Sequence, residues 1–433
     1  MKRTLTLVAG LISAVYLCAE PVNLSLDQAI QLAIANSPTL QDQGALVSAA
    51  LRNKENSWNL FLPGLTAEFT GNFFDEFFYP PASNRLTPPL SSSLKMDVKL
   101  SLDTKTLYDL DKRRDDYTSS LIVAQEAQRK SIVGIEKDYF SLVASSMDIE
   151  NSLRALGLDE ESYRQTRVKF ERGLESELAL LNAELKLQVS RTAVISARAG
   201  YEKKATAFKR LLGMEPQVLL ALSTPLVIAE LDSNKLDDLM EGISKRLDLE
   251  IKRRAIQAAD VAADRYHASN RLPLVTLGSS LSFSLSDFSV PNDAFSVSAG
   301  VSFSVDAWIP GSQKDLAFVA LLEARAQQAI EYDRMLKAAR EKVDDLLIDL
   351  SLRINELRLT EAKLSLAERI HVQTREAYNR GSATLLSMDD AQNKVEIQRQ
   401  ALVSSQLAYL QLVIDVGYAL GADWRSLLGT AKR

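Results

Sequence analysis

Side chains that bind metals or attack substrates are scarce in this 433-residue chain. It has one cysteine, Cys18, and two histidines, His267 and His371. A zinc site needs Cys and His clustered around one point. Here His267 falls near a helix end before a strand, and His371 falls in a distant helix near a turn. No G-x-x-x-x-G-K-[ST] phosphate loop and no G-x-S-x-G nucleophile turn occurs. Carboxylates abound, but they are scattered among Lys and Arg, as on solvated coiled coils. No catalytic residue, cofactor site or metal site is assigned, and the chain is not read as an enzyme.

What remains is partition between water and oil. The stretch "SSLSFSLSDFSVPNDAFSVSAGVSFSVD" (279–306) alternates apolar residues with serine. Successive residues of a strand point to opposite faces. Two strands at 274–286 and 295–306 therefore place Val275, Leu277, Leu281, Phe283, Val301 and Phe303 on one face. Their serines take the other. A second pair at 64–72 and 94–103 repeats the scheme, with Leu65, Phe69, Met96 and Val98 against Glu68, Lys95, Asp97 and Lys99. Strands of about ten residues with one oily and one wet face suit a membrane β-barrel. Leu281, Phe283, Val301 and Phe303 are the lipid-facing candidates. Four strands cannot close a barrel, and an open edge in lipid strands backbone polar groups. Several chains must then share one barrel; three would supply twelve strands. The loop "FFDEFFYPPASNRLTPP" (73–89) reads as an aromatic girdle or as a contact between neighbouring loops.

Long helices must carry these strands. No proline occurs from Leu90 to Glu215 or from Gly311 to Arg433. Proline costs about 3 kcal/mol inside a helix, so such runs are what long helices require. Leu336, Val343, Leu350, Leu357 and Leu364 recur every seven residues, with Leu347 and Ile354 between them, as a coiled-coil seam. Gly157, Gly173 and Gly381 fall where a helix would turn. The chain also repeats itself. "QTRVKFERG" (165–173) matches "QTREAYNRG" (373–381), and the register holds for 49 positions, 14 of them identical. The expected plan is a signal peptide at 1–19, a first repeat at 20–225 and a second at 226–433. The first repeat has helices near 25–60, 105–156 and 174–212. The second has them near 233–270, 312–367 and 383–421. A linker at 214–232 joins the repeats.

Charge is mixed, with 51 Lys and Arg against 56 Asp and Glu. That balance lacks the basic excess of a nucleic-acid binder. Lys2 and Arg3 followed by the apolar run Leu5–Leu17 read as an export signal cleaved after Ala19. Cys18 sits at that site, either removed with the signal or lipidated. No run of about 18 apolar residues follows, so no spanning helix is expected.

The order of these parts resembles the TolC-like outer-membrane efflux channel family along the whole mature chain. The resemblance rests on "LSLDQAIQLAIANSPTLQ" (24–41), on Leu62-Pro63 and Leu272-Pro273 opening the strand pairs, and on "FERGLESELALLNAE" (170–184) and "YNRGSATLLSMDDAQ" (378–392). It implies a mainly helical fold of long antiparallel coiled-coil helices with four strands per chain. The homotrimer would form a twelve-stranded outer-membrane barrel continued through the periplasm by an α-helical barrel. The implied role is the exit duct of a tripartite efflux or type I secretion system, fed by an inner-membrane transporter and a periplasmic adaptor. Tyr378 matches a family tyrosine that ties the closed tips. That tyrosine's usual Arg and Asp partners are Ala383 and Ala179 here. The family's two constricting acidic positions fall on Ser387 and Asp390, with Asp389 beside the latter. In a trimer Asp390 would make a ring of three charges, a device for cation selectivity; a solvated charge at a helix end is the other reading. Arg172 and Arg380, beside Gly173 and Gly381, either cap helix carbonyls or meet the adaptor. The competing class is an exported coiled-coil scaffold with soluble sheets and no channel.

Overall fold

The computed structural model describes residues 22–73, 90–226, 228, 242–284 and 294–428. The expected signal peptide with Cys18, the aromatic loop beyond Phe73, and Leu285 and Ser286 lie outside the described residues. In chain order the elements are β1 (Val22–Leu24), α1 (Leu26–Asn36), α2 (Pro38–Glu55), β2 (Gly64–Phe73), β3 (Leu90–Leu102), α3 (Lys105–Glu171) and α4 (Glu177–Leu211). There follow β4 (Leu220–Leu222), α5 (Leu247–Arg271), β5 (Leu274–Ser284), β6 (Ala294–Ser302), α6 (Gln313–Asn379), α7 (Leu385–Leu420) and α8 (Trp424–Leu427).

The long helices are longer than their sequence suggests. α3 and α6 each run 67 residues, about 100 Å at 1.5 Å per residue. The expected stops near 156 and 367 are corrected to Glu171 and Asn379. Gly157 lies inside α3, because one glycine costs only about 1 kcal/mol in a helix interior and nothing beyond it caps an end. The expected helix at 25–60 is two. Ser37 caps α2 by accepting the Leu40 N–H, and Pro38 opens it. Proline fits the first turn of a helix but disfavours α backbone in the residue before it, so α1 ends there. A 3-10 turn at Ser57–Phe61 leads to β2. α5 starts at Leu247 after a 3-10 turn at Gly242–Lys245; the part of the expected helix at 233–241 lies outside the described residues. The linker holds a strand that sequence reading missed: β4 pairs in parallel with β1.

β2, β3, β5 and β6 form one antiparallel sheet in the order β2-β3-β5-β6. Each hairpin supplies two strands, and β3 joins them through β5. β2 and β6 carry free edges. β6 stops at Ser302, short of the expected 306. Ser302 pairs with Leu274, and the next residue back, Pro273, has no N–H to extend the ladder. Phe303 therefore lies beyond the strand, and Val305 sits in a 3-10 turn with Trp308.

The helices repeat this linear order. Beside the sheet α2 packs on α3, α3 on α5 and α5 on α6; further out α4 packs on α3, α3 on α7 and α7 on α6. Every layer thus begins at an edge made of β2, α2 and α4 and ends at an edge made of β6 and α6. The core lies midway along the helices. There Leu26 and Ala29 of α1, Tyr139 and Phe140 of α3, Phe208 of α4, and Val413 and Ile414 of α7 pack together. The Tyr139 hydroxyl donates to the Leu24 carbonyl at 2.9 Å and accepts the Thr224 N–H at 3.0 Å. That ties the short β1–β4 pair to α3. The α6 seam is real: Val343, Leu350 and Leu357 are buried, with Ala339 and Leu346 three residues after Leu336 and Val343.

Candidate channel wall and entrance

The register sorts the sheet's residues into two faces. Leu65 opposes Val98, Ala67 opposes Met96 and Phe69 opposes Leu94. Met96 in turn opposes Leu281, which opposes Phe295; Leu94 opposes Phe283. Val275 and Val301 pair on this same face. Two serines share it: Ser279, between Val98 and Val297, and Ser92, opposite Gly71. The other face pairs Glu68 with Lys95, Lys95 with Ser282, Asp97 with Ser280, and Ser280 with Ser296. Lys95 and Asp97 form an ion pair there at 3.1 Å. Of the four lipid-face candidates, Leu281, Phe283 and Val301 share the apolar face. Phe303 continues its parity past the strand end and is exposed. Val297 is 72% exposed and Leu65 75%. Nothing among the described residues covers that face.

The tips of the two helical hairpins are built alike. In the first, the Gly173 N–H donates to the Phe170 carbonyl and the Leu174 N–H to that of Lys169. In the second, Gly381 and Ser382 do the same to Tyr378 and Ala377. Gly173 and Gly381 have φ of 74° and 77°, a left-handed backbone that other L residues adopt only with strain. Ser176 then caps α4 through the Ala179 N–H, and Thr384 caps α7 through that of Ser387. Every one of these contacts recurs 208 residues later, so the duplication is legible at the level of single hydrogen bonds. The same holds where the hairpins end: Met214 donates to Lys209 and Ala422 to Gly417. Arg172 and Arg380 are exposed, and neither guanidinium bonds a described residue. The side-chain capping expected of them is corrected: backbone N–H groups meet the last carbonyls.

Tyr378 is tied, but to partners that sequence reading did not find. Its hydroxyl accepts from Lys169 Nζ at 2.6 Å and donates to Glu175 Oε1 at 3.2 Å. The last turn of α6 is thereby clasped to the last turn of α3 and to the turn beyond it. Ala179 and Ala383 offer no hydroxyl or charge for such a bond. Ser387 sits in the first turn of α7, its hydroxyl donating to the Thr384 carbonyl.

The two neighbouring aspartates part company. Asp390 is exposed and makes no ion pair with a described residue. Asp389 is bound by Lys186 Nζ at 3.0 Å, and the same ammonium lies 3.1 Å from Asp159. Asp159 is only 3% exposed. It also accepts from Gln392 at 2.9 Å and from the Ser190 hydroxyl. This cluster joins α3, α4 and α7 just above the tips. His371 lines a cleft beside it with Glu368, Val372 and Glu396. Burial, with Arg375 and Lys186 nearby, holds the His371 pKa below its ordinary value. His267 is elsewhere, in α5 against Phe318.

No known family's sequence model matches the chain, and no curated protein matches it by sequence. Solved structures do. The outer membrane protein VceC from Vibrio cholerae superposes with a TM-score of 0.73 at 18% identity, over 92% of this chain and 96% of that one. The Campylobacter jejuni CmeC outer membrane channel gives 0.71 at 16%, over 94% and 90%. The open state of the Neisseria gonorrhoeae MtrE outer membrane channel gives 0.73 at 17%, over 92% and 89%. The arrangement of sheet, hairpins and tips is thus shared along nearly the full length of each, and this chain has the TolC-like outer-membrane channel fold.

Proposed function

We propose that the chain is one third of an outer-membrane exit duct that extends into the periplasm. Three copies close twelve strands into a barrel with the serines and charges of the wet face toward the lumen and the apolar face toward lipid. The observation that carries this is the open four-stranded sheet with one oily face and unpaired edges at β2 and β6. The helices support the same closure. α4 leaves Leu178, Leu181, Leu185 and Val189 exposed at one edge, and α6 leaves Ile348, Leu352, Leu359 and Leu366 exposed at the other. Both runs have helical spacing and no cover among the described residues. Joining edge to opposite edge is a heterologous contact, which closes as a ring when the rotation fits.

In this reading the tips form the periplasmic entrance, closed by Tyr378 and lined by Asp390. Exposed Arg172, Gly173, Arg380 and Gly381 are the surface offered to a periplasmic adaptor. The adaptor links the duct to an inner-membrane transporter, and conduction through the duct is passive. The test is reconstitution. The processed protein purified in detergent should be a trimer and should form ion-conducting channels in planar bilayers. A detergent-free monomer that conducts nothing would support the coiled-coil scaffold instead.

A further inference from the structure

Among the described residues the wet face of the sheet carries charge at Glu68, Lys95, Asp97 and Lys99, all on β2 and β3. The second hairpin builds the same face from Ser, Thr and Gly alone, between Thr276 and Ser284 and between Ser296 and Ser302. A wet wall therefore needs no charge to form, and charge on the first hairpin is an addition. The charges are also unequal. Lys95 and Asp97 pair with each other at 3.1 Å. Lys99 is exposed and makes no ion pair with a described residue. It stands in a row with Gly64 on one side and Gly278 on the other, so neither neighbour has a side chain to shade its ammonium. The Ser298 hydroxyl, next in the row, leans into that space, 2.8 Å from where a Cβ on Gly278 would lie. A groove of about 770 Å³ opens over this row, lined by Gly64, Lys99, Gly278 and Ser298 with Asp97 and Ser280. Glu68 also makes no ion pair with a described residue. It is four residues along β2 from Gly64, about 13 Å at the rise of a strand. That exceeds the screening length of about 10 Å at 0.1 M salt. The wall is neutral in sum, yet its free positive and negative charges sit at separate heights, the positive one where the strands leave the helices.

We infer that Lys99 makes an anion-attracting ring at the helix-side end of the barrel lumen, which recruits carboxylate- or phosphate-bearing permeants to the wall. This rests on the exit-duct reading above. Three copies place three ammonium groups at one height, and a ring of lysines is a device for passing anions and phosphates. The Ser298 hydroxyl supplies a neutral donor beside each one.

The test is block of single-channel current by hexacyanoferrate(II) added to the extracellular side at 0.1 M salt. The wild-type channel should be blocked, and Lys99→Gln should weaken the block roughly tenfold, since three charges about 10 Å from the axis act on a tetravalent ion through screened water. At 1 M salt the screening length falls to about 3 Å and the difference should vanish. Lys99→Arg should keep the block. Lys95→Gln with Asp97→Asn removes the neighbouring pair without changing the net charge, so it should stay within twofold of wild type. The inference is overturned if conducting Lys99→Gln channels are blocked like wild type at 0.1 M salt, or if the Lys95 and Asp97 double variant loses block as fully as Lys99→Gln. Either result leaves the duct standing. A wild-type trimer that conducts nothing sinks the duct reading, and this inference with it.

Discussion

Replacing Tyr378 by Phe tests the proposal that its clasp holds the entrance shut. The ring stays and only the hydroxyl goes. Lys169 loses an acceptor at 2.6 Å and Glu175 a donor at 3.2 Å. Hydrogen bonds to charged groups are worth about 1.5–3 kcal/mol when well buried. Tyr378 and its partners are only partly buried, and exposed pairs contribute about 0–1 kcal/mol. A loss of about 1 kcal/mol per copy is therefore the reasonable figure. Some attraction survives, because Lys169 also lies 4.1 Å from the ring centroid and Phe keeps that face. If three copies open together, about 3 kcal/mol leaves the closed state, a shift of roughly a hundredfold in the closed-to-open ratio. Single-channel recording reads this directly as open probability. The Lys169→Met variant should open at least as often, and combining the two should add little, since they break one contact. A Tyr378→Phe trimer, intact and conducting, whose open probability stays within twofold of wild type would refute the clasp.

Two further outcomes concern the core. A Cβ on Gly417 would lie 2.8–2.9 Å from the backbone and Cβ of Trp424, so Gly417→Ala should push α8 off α7. Overpacking of this kind costs about 1–3 kcal/mol and outweighs the roughly 1 kcal/mol that alanine gains in a helix; a thermal melt that rises would contradict the contact. Burial raises the Glu136 pKa above the ordinary carboxylate value, opposed by the Trp424 Nε1–H bond at 2.9 Å. A raised folded pKa means stability that is present at low pH and lost as pH rises through it. Glu136→Gln keeps an acceptor for Trp424, so its melting midpoint should fall less than that of wild type between pH 5 and 8; parallel curves would remove Glu136 as the cause.

The wall was legible in the sequence because a period of two is a strong signal wherever the two faces meet different solvents. Ser92 and Ser279 depart from it, β3 starts at Leu90 rather than 94, and β6 ends early because Pro273 closes the ladder opposite Ser302. The tips were legible through Gly173 and Gly381. Gly157 misled, since a glycine stops a helix only where its backbone turns left-handed, as at Gly173 and Gly381 and not at Gly157. The β1–β4 pair was not legible: three residues carry no period, and the tie to Tyr139 spans more than a hundred positions. The same limit hid the entrance chemistry. Asp159, Lys186 and Asp389 are charged residues on long helices, each ordinary alone, and only the fold brings them within 3.1 Å. Tyr378 was found by resemblance, but Lys169 and Glu175 were not, because they replace the partners that the resemblance supplied.

The account's central claim is that the sheet has lipid on one side and water on the other. Single cysteines at Ser296, Val297, Ser298 and Ala299, in a chain carrying Cys18→Ser, put it to the most direct test. In reconstituted trimers a charged maleimide should label the cysteines at 296 and 298 and leave those at 297 and 299 unmodified until detergent strips the lipid. Equal labelling at all four positions in the intact bilayer would contradict it.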